Sequence, residues 1–201
     1  MSAYYTWHSR IYDCTRWSFL FDRAAILEDL QLKPGETVVE VGCGTGHNLE
    51  SIVNRVGPRG KVLAVDCSDP MIKRCGQRIR DNNWTNVRLI DREYGSFPVS
   101  GGHADAVVMS YSLSMIPNWE EALECAFRDL RPGGRIGVVD FYLAERSATT
   151  MGFSEWMARN HVVLDRSYLE SLSSIFRPTR RVTRKALGGL WSFYRFVGER
   201  L

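Results

Sequence analysis

The sequence predicts an α/β fold, a seven-stranded and mostly parallel sheet with helices on both faces and an antiparallel hairpin at its C-terminal end. Three observations predict it. Short Val- and Ile-rich runs alternate with amphipathic stretches, the pattern of a repeated strand–helix unit. Those runs are apolar almost throughout, which calls for strands buried on both faces and so for a parallel sheet covered by helices. The last two runs, RRVTRKAL and LWSFYRF, are separated by Gly188-Gly189, a dipeptide suited to the positive φ angles of a tight hairpin.

Taken in order, residues 4–32 read as helical and are crowded with aromatics, among them Tyr5, Trp7, Tyr12, Trp17, Phe19 and Phe21. These are more than one packed helix face uses, so some are expected to cover a ligand or meet a membrane. The strand ETVVEVG follows, then a helix from Asn48, the strand KVLAVD, a helix beginning near Asp69 and the strand NVRLID. ADAVVMS is the fourth strand, and Pro117 helps to open a helix over 118–130. The turn RPGG then leads into the strand RIGVVDF. No linker divides the chain, so residues 1–201 read as one domain, with 1–32 a helical cover and 33–201 the core.

The composition agrees. Of 201 residues, 44% are hydrophobic and 24% charged, with 26 Lys plus Arg against 23 Asp plus Glu. The net charge of +3 hides an asymmetry, because residues 177–201 hold seven basic side chains and a single acid, Glu199. No run approaches the roughly 20 apolar residues of a membrane span, and MSAYYTWHSR lacks the apolar core of a signal peptide. A cytoplasmic protein is therefore expected. The cysteines, Cys14, Cys43, Cys67, Cys75 and Cys125, are scattered without a CxxC pair, which indicates reduced thiols and neither a disulfide framework nor a metal site.

The chemistry concentrates in VVEVGCGTGHN, residues 38–48, where the first strand turns into the first core helix. Glycines there let the backbone approach a ligand and adopt angles closed to other residues. The spacing Gly42-Cys43-Gly44-Thr45-Gly46 is GxGxG, not the GxGxxG of a pyrophosphate loop, since position 47 is His. Glu40 would repel a pyrophosphate and attract a cationic amine. About twenty residues beyond the glycines, KVLAVD ends in Asp66, whose carboxylate can accept both hydroxyls of a ribose. An acid for an ammonium group, glycines for close approach and an acid for ribose describe S-adenosylmethionine.

This E/DxGxGxG string, followed by a strand ending in Asp, resembles the class I S-adenosylmethionine-dependent methyltransferases, which implies a Rossmann-like fold. The resemblance implies a cofactor site of Glu40, Gly42, Cys43, Gly44, Thr45, Gly46, Asn48 and Asp66. It makes Met71 the apolar residue under the adenine, Cys67 its neighbour on the ribose side and Asp91 the acceptor of the adenine amino group. Arg92 contributes backbone there or is a solvated charge. Ser110, at the end of the fourth strand, is where methyl donor meets acceptor, because ligands in open α/β sheets lie beyond the carboxyl ends of the strands.

For the acceptor, enzymes that methylate base amino groups carry Asn/Asp-Pro-Pro-aromatic after the fourth strand. This chain reads SYSLSMIPNW, so nucleic acid is not an expected partner. YSLSMIPNW, with RIYDCTR, HVV and WSFYRF, resembles the bacterial betaine-lipid methyltransferases, which trimethylate the amine of diacylglyceryl-homoserine. That resemblance implies a lipid substrate with an amino-acid head group, product S-adenosylhomocysteine, and a place on the inner face of the membrane. The enzyme making the homoserine lipid becomes a candidate partner, and the oligomeric state stays open. Phosphatidylethanolamine or a quinone ring are alternative acceptors, and a cofactor-binding subunit without turnover is the alternative outside catalysis.

Methylating an amine requires desolvation and an in-line lone pair more than a strong base. Aromatic faces and hydroxyls suit a nitrogen that becomes a permanent cation, and Tyr12, Tyr111, Ser112 and Ser114 are available. Tyr12 and Tyr111 are the catalytic candidates, with His161 as a third whose alternative role is structural. Arg16, four residues after Tyr12 on one helical face, could pair with the carboxylate of the cofactor or of a homoserine head group. Arg177, Arg180, Arg181, Arg184 and Lys185 form a basic stretch for an anionic membrane, with Trp7, Trp17, Phe19, Phe153 and Trp156 as candidates for insertion. The other reading of that stretch is a charged edge strand protected from pairing.

Overall fold

The computed structural model describes residues 21–143, 148–159, 161–164, 166–186 and 191–201. Seven strands form one sheet of order β3-β2-β1-β4-β5-β7-β6. They are β1 (Thr37–Val41), β2 (Lys61–Asp66), β3 (Val87–Asp91), β4 (Ala104–Ser110), β5 (Leu130–Tyr142), β6 (Arg177–Ala186) and β7 (Trp191–Glu199). The first five are mutually parallel, while β7 runs antiparallel to both β5 and β6. The α/β architecture and the closing hairpin are as the sequence predicts; the Gly188-Gly189 turn lies outside the described residues.

The described helices are α1 (Arg23–Asp29), α2 (Leu49–Val56), α3 (Asp69–Asp81), α4 (Trp119–Asp129), α5 (Ala148–Arg159) and α6 (Tyr168–Ile175). Successive strand residues point to opposite faces, so the core divides in two. Val38, Val108, Phe193 and Val197 pack with Ile26, Leu30, Ile52 and Met157 on the α1, α2 and α5 face. Val39, Val107, Tyr194 and Phe196 pack with Leu123, Tyr168 and Leu172 on the α4 and α6 face. Gly137 of β5 is required by this arrangement, since a Cβ there would stand 2.6 Å from Cδ1 of Leu30, the residue that caps α1.

Three sequence expectations change. The helix expected over 4–32 is interrupted within the described residues, because Asp22 adopts a left-handed conformation (φ 62°) immediately before α1. RPGG belongs to β5 as an irregular stretch: Ala104 pairs with Leu130 and Ala106 with Arg135, so the residues between bulge out of register. Helices α5 and α6 were not legible. Met151 and Trp156 of α5 are exposed, which blurs its apolar period.

Part of the basic stretch is paired within the fold. Arg195, buried in β7, forms ion pairs with Asp22 (3.2 Å) and Asp29 (3.0 Å), at the two ends of α1. From β6, Arg180 reaches Asp29 (3.1 Å), Arg184 reaches Asp22 (3.8 Å) and Arg177 pairs with Glu199. The cationic hairpin thus fastens the cover helix to the sheet. Among the described residues no helix is long and apolar enough to cross a membrane.

Candidate cofactor and acceptor site

A cavity of about 1150 Å³ opens beyond the carboxyl ends of β1, β2 and β4, where open α/β sheets bind ligands. One wall is the loop after β1. Gly42 and Cys43 donate their amides to the Val65 carbonyl (2.8 and 3.0 Å), and Gly44 N–H donates to Asp66 Oδ2 (2.8 Å). The glycines have distinct reasons. At Gly42 (φ +67°) a Cβ would stand 2.4 Å from Ser112 Cβ, so this glycine admits the chain after β4. Gly44 (φ +57°) has nothing within 4 Å of its Cβ position and leaves the wall open to a ligand. Gly46 (φ +79°) is squeezed between Leu49 and Cys75 and fixes the loop against α2 and α3.

Asp66 lines the cavity with its carboxylate held by two backbone donors, Gly44 N–H and Ser68 N–H (2.9 Å to Oδ1). Each carboxylate oxygen retains a second lone pair for a hydroxyl donor. Cys43, Thr45, Asn48, Cys67, Met71, Arg92 and Ser110 also line the cavity, as does Tyr111. Cys43 Sγ lies 3.9 Å from Cys75 Sγ, and that contact together with burial pushes its thiol pKa up, so it is a neutral packing group. Arg92 spends its guanidinium on the Phe97 and Pro98 carbonyls, and its N–H is donated to Asp66 O.

Four sequence expectations need correction in position. Glu40 is fully buried behind the wall, with Oε1 accepting a hydrogen bond from Asn48 Nδ2 (2.8 Å). Gly46 also lies behind the lining. Asp91 is paired in register with Asp66, yet it is exposed and not among the lining residues, although Arg92 beside it is. His161 is exposed just after α5 in a left-handed conformation (φ 63°), its N–H donated to Ala158 O, and is not among the lining residues. Tyr12, Arg16, Trp7, Trp17, Phe19 and Cys14 lie outside the described residues.

Tyr111 is placed as expected but not free to act as a base. Its hydroxyl donates to the Phe21 carbonyl (2.7 Å), its ring lies 4.6 Å from that of Phe141, and burial, with Asp140 and Asp22 nearby, pushes its pKa up. Below it, buried Asp140 accepts from Ser114 N–H (2.9 Å), Ser114 Oγ (2.6 Å) and Phe141 N–H (2.8 Å). Those bonds fix the 3-10 turn Leu113–Met115. Burial outweighs them and raises the Asp140 pKa to about 6.

Sequence reasoning missed several lining residues: Arg23, His47, Tyr94, Met115 and Ile116. His47 follows the last glycine of the motif, a position with no patterned signal, and Arg23 belongs to a helix that is distant in sequence.

The residues fit a cationic nucleoside. Glu40 Oε2, Ser110 Oγ and Ser112 Oγ are buried without a hydrogen-bond partner among the described residues, and such atoms call for a ligand or water. Burial raises the Glu40 pKa to about 7, while Asn48 and Arg23 pull it back and Asp66 adds to the rise. A nearby cation would favour its charged form. Among the described residues no cluster of three His, Cys, Asp or Glu could hold a metal ion.

Residues 38–134 match the family model described as a methyltransferase domain. Over 111 residues, 55% of this chain and 43% of the relative, the sequence is 32% identical to the ubiquinone/menaquinone biosynthesis C-methyltransferase UbiE of Ectopseudomonas mendocina. Over 131 residues, 64% of this chain and 46% of the relative, it is 35% identical to the nocamycin O-methyltransferase of Saccharothrix syringae. The chain spans less than half the length of these curated relatives. The fold is similar to that of an S-adenosylmethionine-dependent methyltransferase from Aquifex aeolicus, with a TM-score of 0.71 at 23% identity over 96% of this chain and 97% of that one. Over residues 38–134 the chain is thus similar to a methyltransferase domain, and its fold is similar to that of an S-adenosylmethionine-dependent methyltransferase.

Proposed function

We propose that this protein is an S-adenosylmethionine-dependent N-methyltransferase that converts the amine of diacylglyceryl-homoserine to its trimethylated betaine. The observation that carries the reading is the position of SYSLSMI. Ser110, Tyr111, Ser112, Met115 and Ile116 form the cavity wall that abuts the glycine loop at Gly42. The string that resembles the betaine-lipid enzymes thus lines the cavity beside the glycine loop, which supports the reading.

When bound, S-adenosylmethionine supplies an electrophilic methyl group on a sulfonium. Asp66, already oriented by two amides, accepts the ribose hydroxyls, and Met71 packs against the base. Glu40, acting from behind Asn48, favours a cationic amino group electrostatically. The unpartnered Ser110 and Ser112 hydroxyls accept hydrogen bonds from an acceptor amine and orient its lone pair. The Tyr111 and Phe141 rings keep water away, and the face of Tyr111 favours the cationic product. Approach to a bilayer falls to α5, whose Trp156 and Met151 are exposed, because Arg177, Arg180 and Arg184 are paired within the fold.

The names of the relatives support a second reading, methyl transfer to carbon or oxygen of a small ring such as a quinone. Purified protein with methyl-labelled cofactor and mixed micelles of homoserine lipid, phosphatidylethanolamine or a demethylated quinone separates these. Mono-, di- and trimethylated homoserine lipid is the expected product. Label only on the quinone overturns the acceptor assignment, and cofactor binding without any product leaves a non-catalytic subunit.

A further inference from the structure

We infer that Asp140 is a positioning residue for methyl transfer, and that through Ser114 it holds the Ser112 hydroxyl where the acceptor is met. The inference rests on the reading that Ser112 takes a hydrogen bond from the acceptor. Asp140 is fully buried in β5 and is not among the residues lining the cavity, so it acts there only through what it holds. A buried carboxylate is costly unless its oxygens are satisfied, and here they are spent largely on the chain after β4. Ser114 N–H (2.9 Å) and Ser114 Oγ (2.6 Å) donate to it, and the Leu113 amide adds a further bond.

The chain that Asp140 holds is strained. Among the described residues five that are not glycine have a positive φ, namely Asp22, Gln31, Asn83, Tyr111 and His161. Four of them stand within two residues of an α-helix end, where the chain enters or leaves the helix and such turns are common. Tyr111 (φ 54°) does not; it follows β4 directly, in the cavity wall. An aromatic residue keeps that conformation only where its neighbours over-determine it.

Two consecutive residues of β5 do so. Val139 O accepts the Tyr111 N–H (2.7 Å), and Asp140 takes the two bonds from Ser114. Ser112 lies between these anchors, with its Cβ against the bare Gly42, and its Oγ is buried without a hydrogen-bond partner among the described residues. Strain kept beside a cavity, next to an unpartnered hydroxyl, marks a group placed for a ligand. Val163 N–H donates to Ser114 O (3.0 Å) from the other side, so the turn keeps an anchor when Asp140 is changed.

Asp140→Asn preserves the shape but turns an NH2 group toward N–H and O–H donors. Calorimetry should find S-adenosylhomocysteine bound within about twofold of wild type, since the bonds of Asp140 are to the chain after β4. The kcat for the acceptor should fall about thirtyfold while its KM moves less than about threefold, because alignment is lost and binding is not. Ser112→Ala should show the same split, and the double variant should be no slower than the slower single one. Val56→Ala, a truncation of a fully buried residue at the end of α2, controls for lost stability and should keep the wild-type kcat. Where Asp140→Asn does not fold, Ser114→Ala removes the 2.6 Å bond alone and carries the same test with a smaller loss.

The acceptor assayed is whichever of homoserine lipid, phosphatidylethanolamine and demethylated quinone the wild type methylates. Turnover of the quinone alone overturns the lipid reading and still tests Asp140. An unchanged kcat in Asp140→Asn, additive losses in the double variant, or nucleoside affinity falling in step with kcat overturns the inference and leaves the lipid reading standing. A wild type that binds the nucleoside and methylates none of the three overturns both.

Discussion

Arg195 Nε lies 3.2 Å from Asp22 Oδ2, joining the buried face of the last strand to the residue at which the chain enters its cover helix. The same guanidinium reaches Asp29 at the other end of that helix, so one arginine holds α1 against the sheet at both ends. Asp22 and Arg23 line the cavity from this helix, which makes the hairpin part of the site's support.

The two arginines that share Asp29 should differ in consequence. Arg195 is 5% exposed, and removing one partner of a buried pair strands the other. Arg195→Met is expected to lower stability by about 3 kcal/mol, at the low end of the range for breaking buried pairs because Asp22 and Asp29 keep some contact with water. Arg180, half exposed, should cost less than about 1 kcal/mol as Arg180→Ala. Urea denaturation of both variants checks the contrast.

Stability should fall as pH rises through the neutral range. Glu40 has its pKa raised from 4.5 to about 7 by burial, so the folded chain keeps this proton when the unfolded chain has lost it. The contribution is fully present below about 4.5 and is lost as pH rises through 7. It amounts to roughly 3 kcal/mol at 1.36 kcal/mol per unit. Glu40→Gln should flatten the urea-midpoint profile between pH 5 and 8 relative to wild type. Asp140, raised from 3.8 to about 6, adds a fall of similar slope between about pH 4 and 6 that Asp140→Asn should remove.

Alanine at two glycines of one loop should have opposite signatures. Gly42→Ala drives a methyl group to within 2.4 Å of Ser112 Cβ and should destabilise the fold by more than about 2 kcal/mol, beyond the cost of its positive φ. Gly44→Ala meets no atom and should cost about 1 kcal/mol of stability. Its methyl group stands where a ligand would approach, so nucleoside affinity should drop well beyond that. Thermal melts and calorimetry on the pair distinguish the effects.

Tyr111→Phe should be a mild variant. The lost hydroxyl donates to the Phe21 carbonyl, a bond whose removal costs about 1 kcal/mol. Since a phenol held above its ordinary pKa is no base near neutrality, turnover should stay within about tenfold of wild type. A loss of several orders of magnitude in initial rate would show that the hydroxyl takes part in the reaction.

Much of the cofactor half was legible because its requirements are local. A glycine triplet between a buried strand and a helix needs particular φ angles, and an acid at the end of the next strand stands beside it in any parallel βαβ unit. Asp66, Met71 and Ser110 could be placed that way. Asp91 ends an apolar strand as Asp66 does and pairs with it in register, and only the structure puts one in the wall and leaves the other exposed. Glu40 was found by its motif, but its depth behind Asn48 follows from packing.

The sequence by itself determined the α/β alternation, the closing hairpin and the glycine loop, because periodicity and backbone angles act over a few residues. Only the tertiary structure showed where part of the basic C-terminal stretch is paired. In the sequence its arginines read equally as a patch for an anionic surface or as a charged edge strand; strand order brings β6 and β7 beside α1, where Arg180 and Arg184, together with Arg195, pair with Asp22 and Asp29. Charge composition is a sum over the chain, whereas an ion pair depends on which elements the sheet makes neighbours.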